Sequence, residues 1–253
     1  MNTESRIVCQ FSCGAASAVA TKLTIAKYVD RDVQIINAFV KEEHEDNRRF
    51  LADCETWFGK KVTVLRDVKY GASIIEVFRR KQFMKSRFGA PCTTVLKRQL
   101  LNSWEQRGDV MVFGYTAEEE NRLENFRDRN PDKLVLAPLI EAGLTKADCK
   151  AMVERAGIEL PLMYRLGYSN ANCIGCVKGG EGYMRAIKQD FPEQFEELAK
   201  IQEQIGPGAY LHRNRETNER YSLRDIPPGE PKRNDEMPSC SFFCEIAEQL
   251  YTA

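Results

Sequence analysis

The sequence has few histidines, no net charge and no long apolar run. His44 and His212 are its two histidines, which disfavours a His-rich zinc centre or a His-driven triad. The 37 Lys and Arg balance 37 Asp and Glu, so the whole molecule does not attract polyanions, although a local basic patch stays open. No apolar run approaches the ~20 residues that span a bilayer, and the N-terminus lacks a signal-peptide core. We therefore expect a soluble, cytoplasmic protein that makes no contact with a membrane.

Cysteine, by contrast, is abundant. Nine cysteines are an odd number, and in a reducing compartment they are not expected to form a disulfide framework. Cys54 and Cys149 lie on apolar stripes of predicted helices and Cys9 lies inside a predicted strand, so we assign these three to the core. The candidates for metal binding or reactivity are Cys92, Cys173, Cys176, Cys240 and Cys244.

Strand and helix patterns alternate over the first part of the chain. Short apolar runs predict strands at 6–11, 33–40, 61–65, 109–115 and 133–139. Amphipathic or Ala-rich stretches between them predict helices, including one over 94–107. This alternation predicts a doubly wound, mainly parallel α/β sheet of the Rossmann type, which binds ligands at the carboxyl ends of its strands.

The chain changes character after residue 140, so we predict a sheet domain over 1–140 and a helical, cysteine-bearing region over 141–253. Thr145 and Asp148 predict a capping box at the start of the first helix of this region. The stretch 206–238, rich in proline and charge, predicts an extended connection before a last helix at 241–251.

The first candidate site is the turn between the first strand and the first helix. Small residues there let backbone N–H groups approach an anion, and the helix N-terminus adds partial positive charge. The spacing is neither a Walker A loop nor GxGxxG. An ordinary strand-to-helix turn is the alternative interpretation. The segment consists of Ser12, Cys13, Gly14, Ala15, Ala16 and Ser17.

The second candidate site is a set of cysteines around the C-x2-C pair Cys173 and Cys176. A C-x2-C loop aims two thiolates at one metal, and with remote partners it suits either tetrahedral zinc or an iron–sulfur cluster. Scattered core cysteines are the alternative. The other cysteines of this set are Cys92, Cys240 and Cys244.

Two further segments carry charge. The stretch 79–98 holds seven Lys and Arg, Lys97 among them, and no acidic residue. It predicts either a solvated helix face or an anion site for a nucleotide phosphate or a nucleic-acid backbone. The fourth strand ends in Gly114 and Thr116, and Arg122 in the next helix can reach a ligand over the sheet edge.

Together these segments resemble the phosphoadenylyl-sulfate (PAPS) reductase family of the adenine-nucleotide alpha-hydrolase, or PP-loop, superfamily, over about residues 6–198. Ser12, Gly14 and Ser17 match the phosphate loop SGGxDS, in which this chain has Cys13 for Gly and Ala16 for Asp. The segment 92–97 resembles Cys-Cys-x-x-Arg-Lys of the iron–sulfur reductases, with Thr and Leu at two of the positions. The chain is also similar to PAPS-reductase-like proteins of phages and prophages and to sulfur-transfer enzymes of DNA phosphorothioation.

The resemblance implies a HUP-type fold with an adenine-nucleotide site over 1–140, for ATP, APS or PAPS, and a 4Fe–4S cluster. It implies that Lys97 and Cys240 are catalytic. The implied nucleotide-binding residues are Ser12, Cys13, Gly14, Ala15, Ser17, Ala38, Phe39, Gly114, Thr116 and Arg122, with Ala38 and Phe39 at the adenine pocket. The implied metal ligands are Cys92, Cys173, Cys176 and Cys244, with Cys240 the alternative fourth ligand.

Three functions are compatible with these residues. In a reductase, a cysteine thiolate attacks the sulfur of a sulfonucleotide, and a thiol reductant resolves the thiosulfonate. In a sulfurtransferase, ATP activates an oxygen of a nucleic acid and sulfur then displaces AMP. A catalytically silent nucleotide- or redox-sensing subunit is the third, and Ala16 favours it. Zinc in place of the cluster, Mg²⁺ at the phosphates and a homo-oligomer stay open.

Overall fold

The computed structural model describes residues 5–86 and 89–234. These residues form two compact units that interleave along the chain. Unit 1 contains residues 5–38, 45–65 and 101–162, and unit 2 contains the remaining described residues: 39–44, 66–86, 89–100 and 163–234. The predicted division into domains near residue 140 stays a prediction.

A five-stranded, all-parallel sheet forms the centre of unit 1. Apolar runs form its strands, β1 (Ile7–Gln10), β2 (Val33–Ala38), β3 (Thr63–Leu65), β4 (Val110–Val112) and β5 (Leu134–Leu136). The strand order is β3-β2-β1-β4-β5, and Cys9 in β1 lies opposite Ile35 in β2 and Val112 in β4. With the helices that flank it, this sheet confirms the predicted doubly wound α/β fold of the Rossmann type.

Helices connect the strands of unit 1. They are α1 (Ala15–Lys27), α2 (Asp46–Phe58), α5 (Glu120–Arg129), α6 (Pro138–Glu141) and α7 (Lys146–Arg155), and α4 (Leu100–Trp104) enters the unit from the preceding segment. The Phe11 ring, just after β1, packs against Phe50 and Phe58 of α2, with centroids 6.1 and 5.4 Å away. Thr145 and Asp148 form the predicted capping box at the start of α7. The central strands β1, β2 and β4 are largely buried, whereas the edge strands β3 and β5 are partly exposed.

The strand order places a topological switch point between β1 and β4. The chain moves from β1 to β2 and β3 on one side, and returns on the other side of β1 with β4 and β5. In such sheets the loops that leave the two central strands diverge and open a crevice for ligands. Here these loops begin at Phe11 and Phe113, which directly follow β1 and β4.

Unit 2 is mainly helical. It contains α3 (Ile74–Lys81), a π-helix (Thr93–Gln99), α8 (Leu162–Arg165), α9 (Glu181–Asp190) and α10 (Pro192–Ile205). Its apolar core includes Phe78, Met84, Leu96, Tyr168 and Tyr183. The helix predicted over 94–107 is thus π-helical in its first part and α-helical only in α4.

The sequence predicted an extended connection after α10. The structure shows that this stretch is only partly extended. It contains two short 3₁₀ turns and a hairpin of β6 (His212–Arg213) and β7 (Arg220–Tyr221). The hairpin forms because Asn214 Oδ1 accepts hydrogen bonds from the backbone N–H groups of Glu216 and Thr217. The helix predicted at 241–251 lies outside the described residues. Within the described ranges, no helix combines the length and apolarity needed to cross a bilayer.

Candidate functional site

The loop between β1 and α1 in unit 1 turns sharply at Cys13, whose φ is 58°. This left-handed region favours glycine, and Cys13 occupies the place where the PP-loop pattern has glycine. The Asn37 amide in β2 holds the turn, since its Nδ2 donates to the Phe11 carbonyl at 2.8 Å and to Cys13 Sγ at 3.5 Å. Gly14 then starts α1 from an extended conformation. Asn37 of β2 therefore fixes the loop. The sequence reasoning missed this role of Asn37.

Two serine hydroxyls line this loop. Ser12 is exposed and Ser17 is 7% exposed, and their Oγ atoms lie 3.0 Å apart. The Ser12 backbone N–H donates to Ser17 Oγ at 3.1 Å, and Ser17 Oγ donates to the Gly14 carbonyl at 3.0 Å. These bonds close a small ring of polar groups over the N-terminus of the 13-residue helix α1. That end of the helix carries the positive end of the dipole, so the loop suits an anion.

The loop after β4 packs directly on the start of α1. A Cβ atom added at Gly114 would lie 2.9 Å from both the backbone nitrogen and the Cα of Ser17. It would also lie 3.2 Å from the carbonyl carbon of Ala16. Only glycine permits this approach without a backbone shift. The structure therefore brings Gly114 together with the predicted phosphate loop at the switch point.

Thr116 and Arg122 have protein partners. Thr116 is 4% exposed, and its backbone N–H donates to Glu119 Oε2 at 3.2 Å in a capping box. Arg122 pairs with the Glu119 carboxylate, and its guanidinium carbon lies 4.7 Å from the centroid of the Tyr115 ring. The structure accounts for both side chains without a ligand, and their contact with a nucleotide stays a prediction.

Ala38 and Phe39 follow one another across the boundary of the two units. Ala38 is the last residue of β2, is half-buried, and pairs with Leu65 of β3. Phe39 belongs to unit 2, where the Arg66 guanidinium carbon lies 3.9 Å from the centroid of its ring. The adenine pocket that we predicted here stays a prediction.

In unit 2, Cys173 and Cys176 are the two ends of a tight turn. The Cys176 N–H donates to the Cys173 carbonyl at 3.1 Å. Gly175 has a φ of 72°, as the third position of a type II turn requires. The two residues are 6% and 5% exposed and belong to the apolar cluster of unit 2, and half-buried Cys92 packs against the same cluster.

The π-helix geometry brings the side chains of Cys92 and Lys97 towards the same side of the helix. Cys92 immediately precedes the π-helix and Lys97 lies within it. A π-helix has about 4.4 residues per turn, so side chains five residues apart are separated by only about 50° around the axis. In an α-helix they would be separated by about 140°. The unusual helix therefore turns Lys97 towards the side on which Cys92 lies.

Lys97 forms a buried ion pair with Glu43, a residue that the sequence reasoning missed. Lys97 Nζ lies 3.0 Å from Glu43 Oε1, and the two side chains are 13% and 2% exposed. The other carboxylate oxygen of Glu43 is buried without a hydrogen-bond partner among the described residues. Glu43 also forms an antiparallel bridge with Cys173, and residues paired in this way carry their side chains on the same face. The Glu42–Glu43 pair directly after a buried strand was the available signal.

The chemistry of the donor set fits a soft metal, but the described part holds only a portion of such a site. Across the ranges that the structure describes, no three His, Cys, Asp or Glu side chains are grouped closely enough to hold an ion. Two thiols in one turn and in apolar surroundings are nevertheless suitable ligands for zinc or for an iron–sulfur cluster. Cys240 and Cys244, predicted as catalytic residue and ligand, lie outside the described residues.

Three other cysteines lie in the core of unit 1, as predicted. Cys9, Cys54 and Cys149 are each 0% exposed. Burial raises the pKa of Cys9 and of Cys149 to about 12, and it raises the pKa of Cys54 as well. A thiol in such surroundings stays protonated at neutral pH, which is typical of a core position and unfavourable for a ligand or a nucleophile.

Comparison of the chain with profiles of protein families gives no match. Comparison with curated proteins gives none either.

Proposed function

We propose that the chain is an adenine-nucleotide-dependent enzyme of sulfur chemistry, of the kind that the PAPS reductase resemblance implies. The observation that carries the proposal is the loop of residues 12–17 at the switch point of unit 1. Its hydroxyls, the N-terminus of α1 and the close backbone of Gly114 are what a phosphate site requires.

In this proposal the phosphates accept hydrogen bonds from the backbone N–H groups at the start of α1 and from the Ser12 hydroxyl. The dipole of α1 favours their negative charge. Ala16 provides no carboxylate for a Mg²⁺ ion, where the PP-loop pattern has Asp. Binding therefore depends on neutral donors and on the helix dipole, and a metal at the phosphates would need ligands from elsewhere.

The sulfur chemistry is assigned to the cysteines of unit 2. When bound, a 4Fe–4S cluster would supply electrons or sulfur at Cys173 and Cys176, with Cys92 and one C-terminal cysteine as further ligands. Lys97 supplies positive charge that stabilises negative charge on sulfur. Glu43 supports this role because it holds the ammonium group on the face that carries Cys173.

Calorimetry with ATP, APS and PAPS tests the nucleotide site. Gly14→Val should abolish binding while the fold persists, because the φ of −104° at Gly14 is open to valine and the new side chain occupies phosphate space. Gly208→Val, at an exposed glycine with no atom within 4 Å of an added Cβ, is the control. A folded Gly14→Val variant with wild-type affinity would refute the site.

A second candidate function is sulfur transfer to a nucleic acid, and the basic end of α3 favours it. Arg79, Arg80 and Lys81 are exposed there, and Glu76 is the acid that pairs with the two arginines. Exposed pairs of this kind are weak, so the segment can exchange them for phosphates. Pyrophosphate release from ATP that depends on added DNA or RNA would favour this function. Nucleotide binding without any turnover would favour the silent subunit.

A further inference from the structure

Tyr183 in α9 closes the turn that carries Cys173 and Cys176. Its hydroxyl accepts a hydrogen bond from the Cys176 N–H at 3.2 Å and donates one to the Cys173 carbonyl at 3.2 Å. The Cys176 N–H is also bonded to the Cys173 carbonyl at 3.1 Å. One phenol oxygen is thus hydrogen-bonded to the backbone at both ends of the turn.

The ring of Tyr183 is fixed by its surroundings. Tyr183 is 1% exposed, and its ring meets the Tyr168 ring edge-on at a centroid distance of 5.8 Å. A Cβ atom added at Gly179 would overlap Tyr183 Cδ1, so only glycine allows the chain to pass over the ring. The phenol has one orientation available to it.

A metal-binding turn gains affinity when its thiols are already in place. Ordering a flexible turn costs about 1–2 kcal/mol of backbone entropy per residue, and this cost is subtracted from the binding free energy. Groups outside the ligand set that fix the ligands typically alter metal affinity by about 10–100-fold. Tyr183 is bonded to the backbone of both ends of the turn, which is the arrangement such a group needs.

We propose that Tyr183 is a positioning residue for the soft metal bound by Cys173 and Cys176. It does not ligate the metal; it holds the two thiols in one conformation before the metal arrives. The inference rests on the metal half of the proposed function and is independent of the nucleotide loop.

The test compares Tyr183→Phe with Tyr168→Phe, in protein prepared anaerobically. Both tyrosines are at most 2% exposed and lie in the same apolar cluster, but the Tyr168 hydroxyl donates to Asp190 at 2.8 Å and not to the turn. Iron and zinc content is measured together with the rate at which a chelator removes the metal. We expect Tyr183→Phe to release metal at least about tenfold faster, and Tyr168→Phe to release it at the wild-type rate.

Hydrogen exchange in the metal-free wild-type protein gives a second readout that needs no variant. We expect the Cys176 amide to exchange slowly before metal is added, and more slowly than the exposed hairpin amide of Asn218. Equal exchange at the two amides, or a folded Tyr183→Phe variant with unchanged metal release, would overturn the positioning role alone. A wild-type protein that binds neither iron nor zinc would overturn the metal half of the proposed function together with this inference.

Discussion

Gly114→Ala tests the candidate phosphate loop through a residue that packs against the loop but is not part of it. The added Cβ would lie 2.9 Å from the Ser17 nitrogen and Cα, closer than real Cβ atoms approach other heavy atoms. The neighbours are backbone atoms in the first turn of α1, so no side chain can rotate away to relieve the contact. Since the φ of Gly114 is not positive, alanine brings no further backbone strain. We expect the overpacking to cost about 1–3 kcal/mol of unfolding free energy.

The same contact should weaken nucleotide binding. Either β4 or the start of α1 must move, and the Ser17 hydroxyl bonds to Ser12 and Gly14 would move with it. A loss of about 1.4 kcal/mol of binding free energy lowers the affinity about tenfold. Urea unfolding measures the stability and calorimetry with ATP, APS or PAPS measures the affinity, with Gly208→Ala as the control. A Gly114→Ala variant that keeps wild-type stability and affinity would refute the close packing on which the loop's geometry depends.

Three further predictions concern buried groups. Replacing Cys9 or Cys149 with Val should cost about 1 kcal/mol in urea unfolding and leave bound metal unchanged; metal loss would show that these thiols are ligands. Glu43→Gln or Lys97→Met should each destabilise the protein by about 3–5 kcal/mol, and the double variant should cost less than the sum; a double-mutant cycle with purely additive costs would contradict the pair. Burial lowers the pKa of His212 below its usual 6.5, so the unfolded chain takes up the proton first and the unfolding free energy falls as the pH drops below about 6.5. His212→Gln should remove that part of the pH profile, and superimposable profiles would exclude it.

Local patterns were sufficient to predict the sheet and the core cysteines. Apolar runs mark the central strands β1, β2 and β4 because helices cover a parallel sheet on both faces. Apolar runs also mark the edge strands β3 and β5, although these are partly exposed. The capping box at Thr145 and Asp148 is a four-residue signal and was confirmed. Cys54 and Cys149 follow the spacing of helix faces, which depends only on neighbours along the chain.

The residues that fix the candidate sites are set by long-range contacts and were missed. The Asn37 amide in β2 donates a hydrogen bond to Cys13, which follows the neighbouring strand β1. Glu43 pairs with Lys97, 54 positions away in the sequence. In the sequence, Tyr183 is one of several apolar positions of α9. Only the structure shows that its hydroxyl is hydrogen-bonded to the backbone of both Cys173 and Cys176. The π-helix after Cys92 depends on hydrogen bonds that no local pattern distinguishes from those of an α-helix. Asn37 in a mostly apolar strand and the Glu42–Glu43 pair that follows the strand were the signals that sequence reasoning could have used.

Native mass spectrometry of protein purified anaerobically tests the central claim most directly, because it weighs nucleotide and metal on the same intact chain. The account predicts a complex that releases an adenine nucleotide on denaturation, either as purified or after addition of ATP, APS or PAPS. It predicts about four irons with sulfide on the same chain. A chain that stays at its polypeptide mass with all three nucleotides present would contradict the account.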